Sequence, residues 1–337
     1  MKYTRLGNSG LVVSKVCLGT MVFGEEGPRG ADEESSLEMI RNFVEAGGNF
    51  IDTADVYAGG RSEEIVGKGL SQLTRDQIII ATKVRMPVGE GPNDIGLSRK
   101  HIVESVEKSL RRLGTDYIDL YYTHMWDPVT PLEETLRALD DMVRAGKVRY
   151  IGVSNFTAWQ VMKALGLSDN NGFVRYVAGQ YQHSLVERDI EHEFDGLFAD
   201  QGVGEVPWGA LGGGFLSGKY RRGERPEEGR LAMMPDAAEE AWSRRSVERN
   251  WQILDAVGDV AEKQGITYSQ TALAWVLRRP TVSSALLGVR TPVQLDDNIG
   301  AVDVNLSDEE YERLDTISRP PAGYPYRMIN GFGARAV

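Results

Sequence analysis

Eight short apolar segments recur along this 337-residue chain, and each is followed by a stretch of helical periodicity. Most are continuously apolar rather than alternating, which is typical of strands buried on both faces of a parallel sheet. Eight strand-then-helix units predict an α/β fold, a closed (β/α)8 or TIM barrel. The predicted strands are residues 16–20, 50–54, 78–84, 118–124, 150–155, 176–180, 204–208 and 285–289.

The turn after the first strand argues against the main alternative, a doubly wound sheet. Residues 19–24 read Gly-Thr-Met-Val-Phe-Gly and lack the Gly-x-Gly-x-x-Gly spacing of such folds. We therefore expect one domain over residues 1–337, with a core of about 14–318. The Gly-, Arg-, Glu- and Pro-rich stretch 212–245 is interpreted as an inserted mobile loop at the active-site face.

Several residues mark helix ends and the segments outside the barrel. Ser98 and Gly114 predict the start and stop of one helix, and Pro131 predicts the first turn of the next. Residues 3–13 predict a β-hairpin that closes the barrel floor. The aromatic and glycine-rich tail, residues 319–337, is interpreted as a lid over the barrel mouth, with a disordered end as the alternative.

Charge and cysteine content narrow the function classes. The chain has 49 acidic and 38 basic residues, a net charge of −11, which disfavours nucleic-acid and membrane partners. The lone Cys17 excludes an internal disulfide and a cysteine zinc site, and we expect no metal. Because the first residues lack the apolar core of a signal peptide, we expect a cytoplasmic protein.

Four polar residues interrupt apolar runs near the ends of three successive predicted strands. They are Asp52, Tyr57, Lys83 and His124. A single lysine or histidine there has an ordinary structural explanation, pairing with a carboxylate or filling a core position. Four such groups at one end of three neighbouring strands favour a catalytic site, because barrel chemistry occurs at the carboxyl ends of the strands.

The chemistry of this set is that of a proton donor. A free tyrosine has a pKa of about 10, too high for an efficient acid near neutrality. We expect the Lys83 ammonium to lower the pKa of Tyr57, and Asp52 to hold Lys83 charged and oriented. His124 would donate a hydrogen bond to a substrate oxygen. The four residues supply an acid aimed at a carbonyl, and a hydride source is still missing.

Longer motifs give the chain a resemblance to the aldo-keto reductase superfamily, from the first hairpin to about Asp315. They are residues 48–57 (GNFIDTADVY), 80–83 (IATK), 116–124 (DYIDLYYTH) and 146–156 (GKVRYIGVSNF). The resemblance implies that Tyr57 is the acid/base, that Lys83 and Asp52 tune it, and that His124 orients the carbonyl. It also implies a nicotinamide cofactor as hydride source.

The resemblance further implies a set of cofactor-binding residues. Ser154, Asn155 and Gln180 would bind the nicotinamide carboxamide, and Trp208 would stack on its ring. Arg290 would clamp a 2′-phosphate, which favours NADPH/NADP+ over NADH. The full predicted set is Thr20, Met21, Asp52, Ser154, Asn155, Gln180, Trp208, Gly209, Ala210, Leu211, Gly213, Lys219, Gly288, Arg290, Gln294, Asp297 and Asn298.

Three positions depart from the common family pattern. His183 stands where relatives often carry tyrosine, and Gly209 and Ala210 replace a more usual Ser-Pro. These two changes remove a hydroxyl and a rigid ring beside the cofactor. They bear on the contacts to the diphosphate rather than on the reaction.

The predicted substrate contacts come from loops. They are Phe23, Tyr57, Met86, His124 and Trp126. This apolar set indicates an apolar or aromatic aldehyde or ketone, reduced to the alcohol or formed from it, while sugar and polyketide-like carbonyls stay open. The physiological substrate, the reaction direction and the oligomeric state are not determined by the sequence.

Two other functions remain open. The first is an NADPH-binding regulatory subunit with little turnover, similar to potassium-channel β subunits, whose Leu-Leu-Gly matches residues 286–288. Asn155, where those subunits have arginine, and the lack of a long N-terminal extension argue against it. The second is a Schiff-base lyase using Lys83. Pairing with Asp52 argues against this function, because a charged lysine is a poor nucleophile.

Overall fold

The strands form two sheets. The computed structural model describes residues 1–332. A two-stranded antiparallel sheet pairs β1 (Tyr3–Arg5) with β2 (Val12–Ser14). The second sheet has eight parallel strands, namely β3 (Val16–Gly19), β4 (Phe50–Asp52), β5 (Ile79–Val84), β6 (Ile118–Thr123), β7 (Val148–Ser154), β8 (Tyr176–Gln180), β9 (Gly204–Glu205) and β10 (Ala285–Gly288).

The eight parallel strands close into a barrel. Each strand pairs with its neighbour along the chain, and β10 returns beside β3. Between β9 and β10, the Leu286 N–H donates to the Pro207 carbonyl at 3.0 Å and the Ser283 N–H donates to the Glu205 carbonyl at 2.9 Å. These bonds complete the ring, so the predicted (β/α)8 barrel is confirmed, with each strand where the apolar segments predicted it.

Helices connect the strands and cover the outside of the barrel. They are α1 (Glu33–Glu45), α2 (Arg61–Leu70), α3 (Arg99–Leu113), α4 (Leu132–Arg144), α5 (Ala158–Asn171), α6 (Phe194–Gln201), α7 (Arg230–Met233), α8 (Trp242–Arg245), α9 (Glu248–Gln264), α10 (Tyr268–Arg278), α11 (Pro292–Ile299), α12 (Asp308–Ser318) and α13 (Tyr326–Phe332).

The caps of α3 agree with the sequence. The Ser98 side chain accepts a hydrogen bond from the His101 N–H, and Gly114 ends the helix with a φ of 62°. Pro131 is the N-cap of α4 rather than its first helical residue, a shift of one position. Such short-range signals fix helix ends because they depend only on local backbone geometry.

Two apolar clusters hold the barrel. The larger one lies between the strands and the surrounding helices. The smaller one fills the barrel interior and includes Cys17, Phe50, Leu120 and Tyr122. Leu6 and Val13 of the hairpin are fully buried in this second cluster, so the hairpin closes the barrel floor as predicted.

In the described residues, the tail contacts the segment between β8 and α6. Tyr326 of α13 stacks on His192 with ring centroids 5.0 Å apart, and its hydroxyl bonds the Glu193 carboxylate. The rest of the predicted lid, residues 333–337, lies outside the described residues. Among residues 1–332, no helix is long and apolar enough to cross a bilayer.

Candidate active site

Polar side chains meet at the carboxyl ends of five consecutive barrel strands. Asp52 is the last residue of β4, Lys83 is next to last in β5, and His124 directly follows β6. Ser154 ends β7 and Gln180 ends β8. In a parallel barrel these ends face one side, so the fold brings together residues that are far apart in sequence.

Lys83 is the centre of this group. Its side chain is fully buried, and its ammonium donates to the Asp52 carboxylate, to the Thr53 carbonyl at 2.8 Å and to the Tyr57 hydroxyl at 3.2 Å. Burial works against the charged form, but Asp52 and Tyr57 outweigh it and raise the pKa of Lys83. Lys83 is therefore a fixed cation beside Tyr57.

The other oxygen of Asp52 is also occupied. Gln180 Nε2 donates to Asp52 Oδ2 at 2.8 Å. Gln180 lies across the barrel on β8, and its carbonyl accepts from Ser154 Oγ at 2.6 Å. The carboxylate is thus held from β5 on one side and from β8 on the other, which fixes the orientation of the ammonium it pairs with.

The expected direction of the Tyr57 pKa is wrong. Burial raises the pKa of Tyr57 above its ordinary value, and Lys83 only partly opposes that increase, while Asp52 adds to it. The sequence shows which charges are near but not how much water the fold removes. Tyr57 is therefore protonated near neutral pH, and Lys83 stabilises the phenolate that proton donation would leave.

His124 is neutral over the usual pH range. Burial, with the nearby positive charges of Lys83 and Arg85, lowers its pKa to about 3. Its ring stands nearly perpendicular to that of Tyr57, with centroids 5.9 Å apart. Its buried Nδ1 has no hydrogen-bond partner among the described residues. A neutral imidazole here can donate or accept a hydrogen bond but is a poor proton source.

A cavity of about 540 Å³ opens above these groups. Tyr57 and His124 lie in its wall, and it continues along the rim to the N-terminus of α11. Basic side chains line it at Arg29, Lys219, Arg230 and Arg290. The cavity has the polar groups around Lys83 at one end and carries cations along its walls.

A model of the Aldo/keto reductase family matches residues 15–319. The chain belongs to the aldo/keto reductase family. The match includes all eight barrel strands and the residues gathered at their carboxyl ends, so the predicted resemblance is confirmed.

Relatives of this aldo/keto reductase include both enzymes and channel subunits. Versiconal hemiacetal acetate reductase of Aspergillus parasiticus is 37% identical, covering 96% of this chain and 99% of its own. Norsolorinic acid reductase of Emericella nidulans is 38% identical, covering 95% and 82%. A probable voltage-gated potassium channel subunit beta of Arabidopsis thaliana is 37% identical, covering 90% and 92%. The family and its reductases support an oxidoreductase activity.

Every residue predicted to contact the cofactor lines the cavity of this family member. Asn155 lies near the catalytic end, where its Nδ2 donates to the His124 carbonyl at 2.8 Å and to Ser154 Oγ at 3.0 Å. At the other end, Arg290 Nη1 donates to the Pro28 carbonyl at 2.9 Å. The predicted set therefore extends over the whole length of one cavity.

Two of the predicted substrate residues lie elsewhere. Phe23 is fully buried in the larger apolar cluster, because the chain turns at this point and its backbone pairs with Ala31. Trp126 packs edge-on against Phe156 with centroids 5.0 Å apart, and it also contacts Trp159. Neither lines the cavity, so their contact with a substrate stays a prediction, whereas the third predicted apolar contact, Met86, does line it.

The structure shows the surroundings of the three residues that depart from the family pattern. Gly209 has a φ of 68°, a left-handed conformation that suits glycine, and Ala210 is buried. His183 is fully buried between two carboxylates, with Nδ1 2.6 Å from Glu205 and Nε2 2.9 Å from Glu191. These contacts raise the pKa of His183 to about 9 despite its burial.

Sequence reasoning missed several residues around the site. Arg29, Arg230 and Glu240 line the cavity, and Arg230 pairs with the buried Glu240. The last two belong to the long stretch 212–245, whose many charged residues gave no signal of which ones face the cavity. Residues of that stretch line the cavity at the carboxyl ends of the strands, the face where the sequence predicts the stretch to lie.

Proposed function

We propose that this protein is an NADP-dependent oxidoreductase that reduces an aldehyde or ketone to an alcohol, or catalyses the reverse reaction. One observation carries the proposal. The Tyr57 hydroxyl lies 3.2 Å from the buried Lys83 ammonium at one end of a cavity large enough for a dinucleotide and a small substrate. A protonated phenol beside a fixed cation is suited to protonating a carbonyl oxygen.

The cavity fits a nicotinamide dinucleotide. Partial burial and the nearby Arg290 guanidinium lower the pKa of Lys219, so these two cations are close enough to repel each other. Gly213 and Gly214 have φ angles of 69° and 87°, so this part of the wall presents backbone instead of bulky side chains. A diphosphate satisfies both features. NADPH, when bound, supplies the hydride.

We assign preference for NADPH over NADH to Arg290. It stands directly before α11, whose N-terminus is capped by Thr291 and begins with Pro292. Its Nη1 is used by Pro28, and the rest of the guanidinium is available for a 2′-phosphate. A planar guanidinium at a helix N-terminus favours a phosphate over a hydroxyl.

Several residues of the site take part in the proposed proton transfer. Tyr57 donates its proton to the carbonyl oxygen, and the Lys83 ammonium stabilises the phenolate that remains. Asp52 and Gln180 keep Lys83 in position. Neutral His124 orients the substrate oxygen by a hydrogen bond. For alcohol oxidation the same groups act in reverse.

An aromatic or otherwise apolar carbonyl fits the catalytic end best. Met21, Val22, Met86 and Trp208 line the cavity and provide an apolar wall near Tyr57. Two relatives are named as reductases of norsolorinic acid and versiconal hemiacetal acetate. Turnover across aromatic aldehydes, cyclic ketones, methylglyoxal and keto sugars would rank these classes.

The relation to channel subunits supports a second candidate, a cofactor-binding regulatory protein. Tight NADPH binding with weak turnover on every carbonyl would favour it. The geometry disfavours a Schiff-base lyase, because all three hydrogen bonds of Lys83 are used and its pKa is raised. Borohydride trapping of substrate on Lys83 would support that third function instead.

Tyr57→Phe tests the proposed reaction directly. Removing a positioned acid should lower kcat about 10²–10⁴-fold, while the NADPH Kd measured by fluorescence stays near the wild-type value. Tyr117→Phe is the matched control, because Tyr117 precedes β6 at the opposite end of the barrel, and a phenylalanine keeps the ring beneath Arg75. Unchanged turnover in Tyr57→Phe would exclude Tyr57 as the acid.

A further inference from the structure

A second polar cluster lies directly behind the catalytic residues. Asp55 stands two residues before Tyr57, on the segment that leaves β4, and its N–H lies 3.4 Å from the Lys83 carbonyl. Its side chain is only 3% exposed. Both carboxyl oxygens are buried, and no side chain among the described residues forms a hydrogen bond with them. The proposed mechanism gives this group no role.

The surroundings of Asp55 hold too few cations for two carboxylates. Glu63 of α2 is fully buried and accepts from Thr82 Oγ1 and from Arg112 Nε, each at 2.6 Å. Arg112 of α3 also pairs with Glu63 through Nη2. Its charge is thus already matched by Glu63, which leaves Asp55 without a counter-ion.

Other charged groups near Asp55 do not change this balance. Lys83 of β5 is bonded to Asp52, Thr53 and Tyr57. Tyr121 of β6 is fully buried, and its hydroxyl has no hydrogen-bond partner within residues 1–332. Asp55 and Glu63 add to the effect of burial in raising the pKa of Tyr121. A buried carboxyl group without a cation is most stable when it holds its proton.

We propose that Asp55 is a positioning residue that works as a neutral carboxylic acid, and that loss of its proton disturbs the Lys83–Tyr57 pair. The proposal rests on the proposed reaction for its effect on catalysis. An anion at Asp55 would be a second negative charge near Lys83, in competition with Asp52 and with the phenolate of Tyr57. When Asp55 is protonated, the Lys83 ammonium interacts with Asp52 and Tyr57 without this competition.

The protonation balance supports this role. Burial, with the nearby Glu63 carboxylate, raises the pKa of Asp55 to about 8, and Arg112, the backbone N–H of Val56 and Lys83 only partly oppose the increase. The acid form therefore dominates near neutral pH and is lost above pH 8. We expect the activity of the wild-type protein to fall as pH rises through this value.

Asp55→Asn tests the proposal, because the amide has the shape of the neutral acid and cannot ionise. In carbonyl reduction, the variant should keep kcat/KM within about threefold at pH 6.5 and lose the decline near pH 8. Asp55→Leu, which cannot ionise either, should lose the same decline. A wild-type decline that persists unchanged in Asp55→Asn would overturn the proposal.

A stability measurement separates this proposal from the proposed function. Between the ordinary aspartate pKa of 3.8 and a pKa of about 8, the folded state holds a proton that the unfolded state has lost. The unfolding equilibrium constant of wild type relative to Asp55→Asn should therefore rise about tenfold per pH unit from pH 5 to 7 and level off above 8.

Asp76→Asn, in the exposed turn before β5, is the control and should show no such slope. A flat ratio for Asp55→Asn would show that Asp55 is ionised in the folded protein and would refute the inference even if carbonyl reduction is confirmed. If the stability ratio shows this pH slope but the protein turns over no carbonyl, Asp55 is neutral in the folded protein as proposed and the proposed reaction is rejected instead.

Discussion

The buried His183 leads us to predict that the folded protein loses stability at alkaline pH. Its two ring nitrogens contact Glu205 and Glu191, and its pKa is raised from 6.5 to about 9 in the folded protein. The proton is therefore bound more tightly in the folded state than in the unfolded state. The resulting stabilisation is fully present below pH 6.5 and is lost as pH rises through 9.

The size of this stabilisation follows from the difference between the pKa values of His183 in the folded and unfolded states. A shift of one pKa unit corresponds to about 1.4 kcal/mol, so the raised pKa of His183 is worth about 3 kcal/mol. Nearly all of this should disappear between pH 6 and pH 9.5. His183→Gln removes the titrating group, so the variant should lack this part of the pH dependence.

Urea denaturation at pH 6 and pH 9.5 measures the effect. The free energy of unfolding of wild type should fall about 3 kcal/mol further than that of His183→Gln over this interval. His192→Gln is the control, because His192 stacks on Tyr326 outside the buried carboxylate network. Parallel pH dependences for wild type and His183→Gln would refute the assignment of a charged imidazolium at this position.

Two further substitutions test the cofactor site and the barrel. Arg290→Ala should weaken NADPH binding about 10- to 100-fold and leave NADH binding nearly unchanged, because only the charge-assisted bonds to a 2′-phosphate are lost. Titrations with both cofactors measure this difference. Equal losses of affinity for the two cofactors would contradict the assignment. Gly152→Ala should destabilise the protein by about 1–3 kcal/mol in urea, because its new methyl group would lie 2.4 Å from the Tyr122 ring. Gly166→Ala, where nothing lies within 4 Å, is the control, and an equal effect in both would exclude a clash.

The sequence predicts the strands and the polar residues at their carboxyl ends well, because both depend on local patterns. A polar residue that ends an apolar run marks the strand end directly, as Asp52 and His124 do. An apolar loop residue carries no comparable signal. Phe23 and Met86 look alike in sequence, yet one packs in the core and the other lines the cavity.

Quantities that depend on packing are harder to obtain from sequence. The direction in which the pKa of Tyr57 shifts depends on how much water the fold removes from its hydroxyl. This loss of water raises the pKa, whereas the charge of Lys83 lowers it. The Asp55 cluster joins residues of α2, α3, β5 and β6, whose separation along the chain hides their contact. Only the assembled barrel shows that Arg112 is already paired with Glu63.

The bridging carboxylate of Asp52 has a consequence for how this scaffold can diversify. Its two oxygens tie the fourth, fifth and eighth strands of the molecule together, so the ammonium beside Tyr57 is held by the barrel wall. Loops at the mouth other than the segment that carries Tyr57 can then change length and composition without moving that ammonium. New substrates become accessible through altered shape at the entrance, while the underlying chemistry is inherited intact.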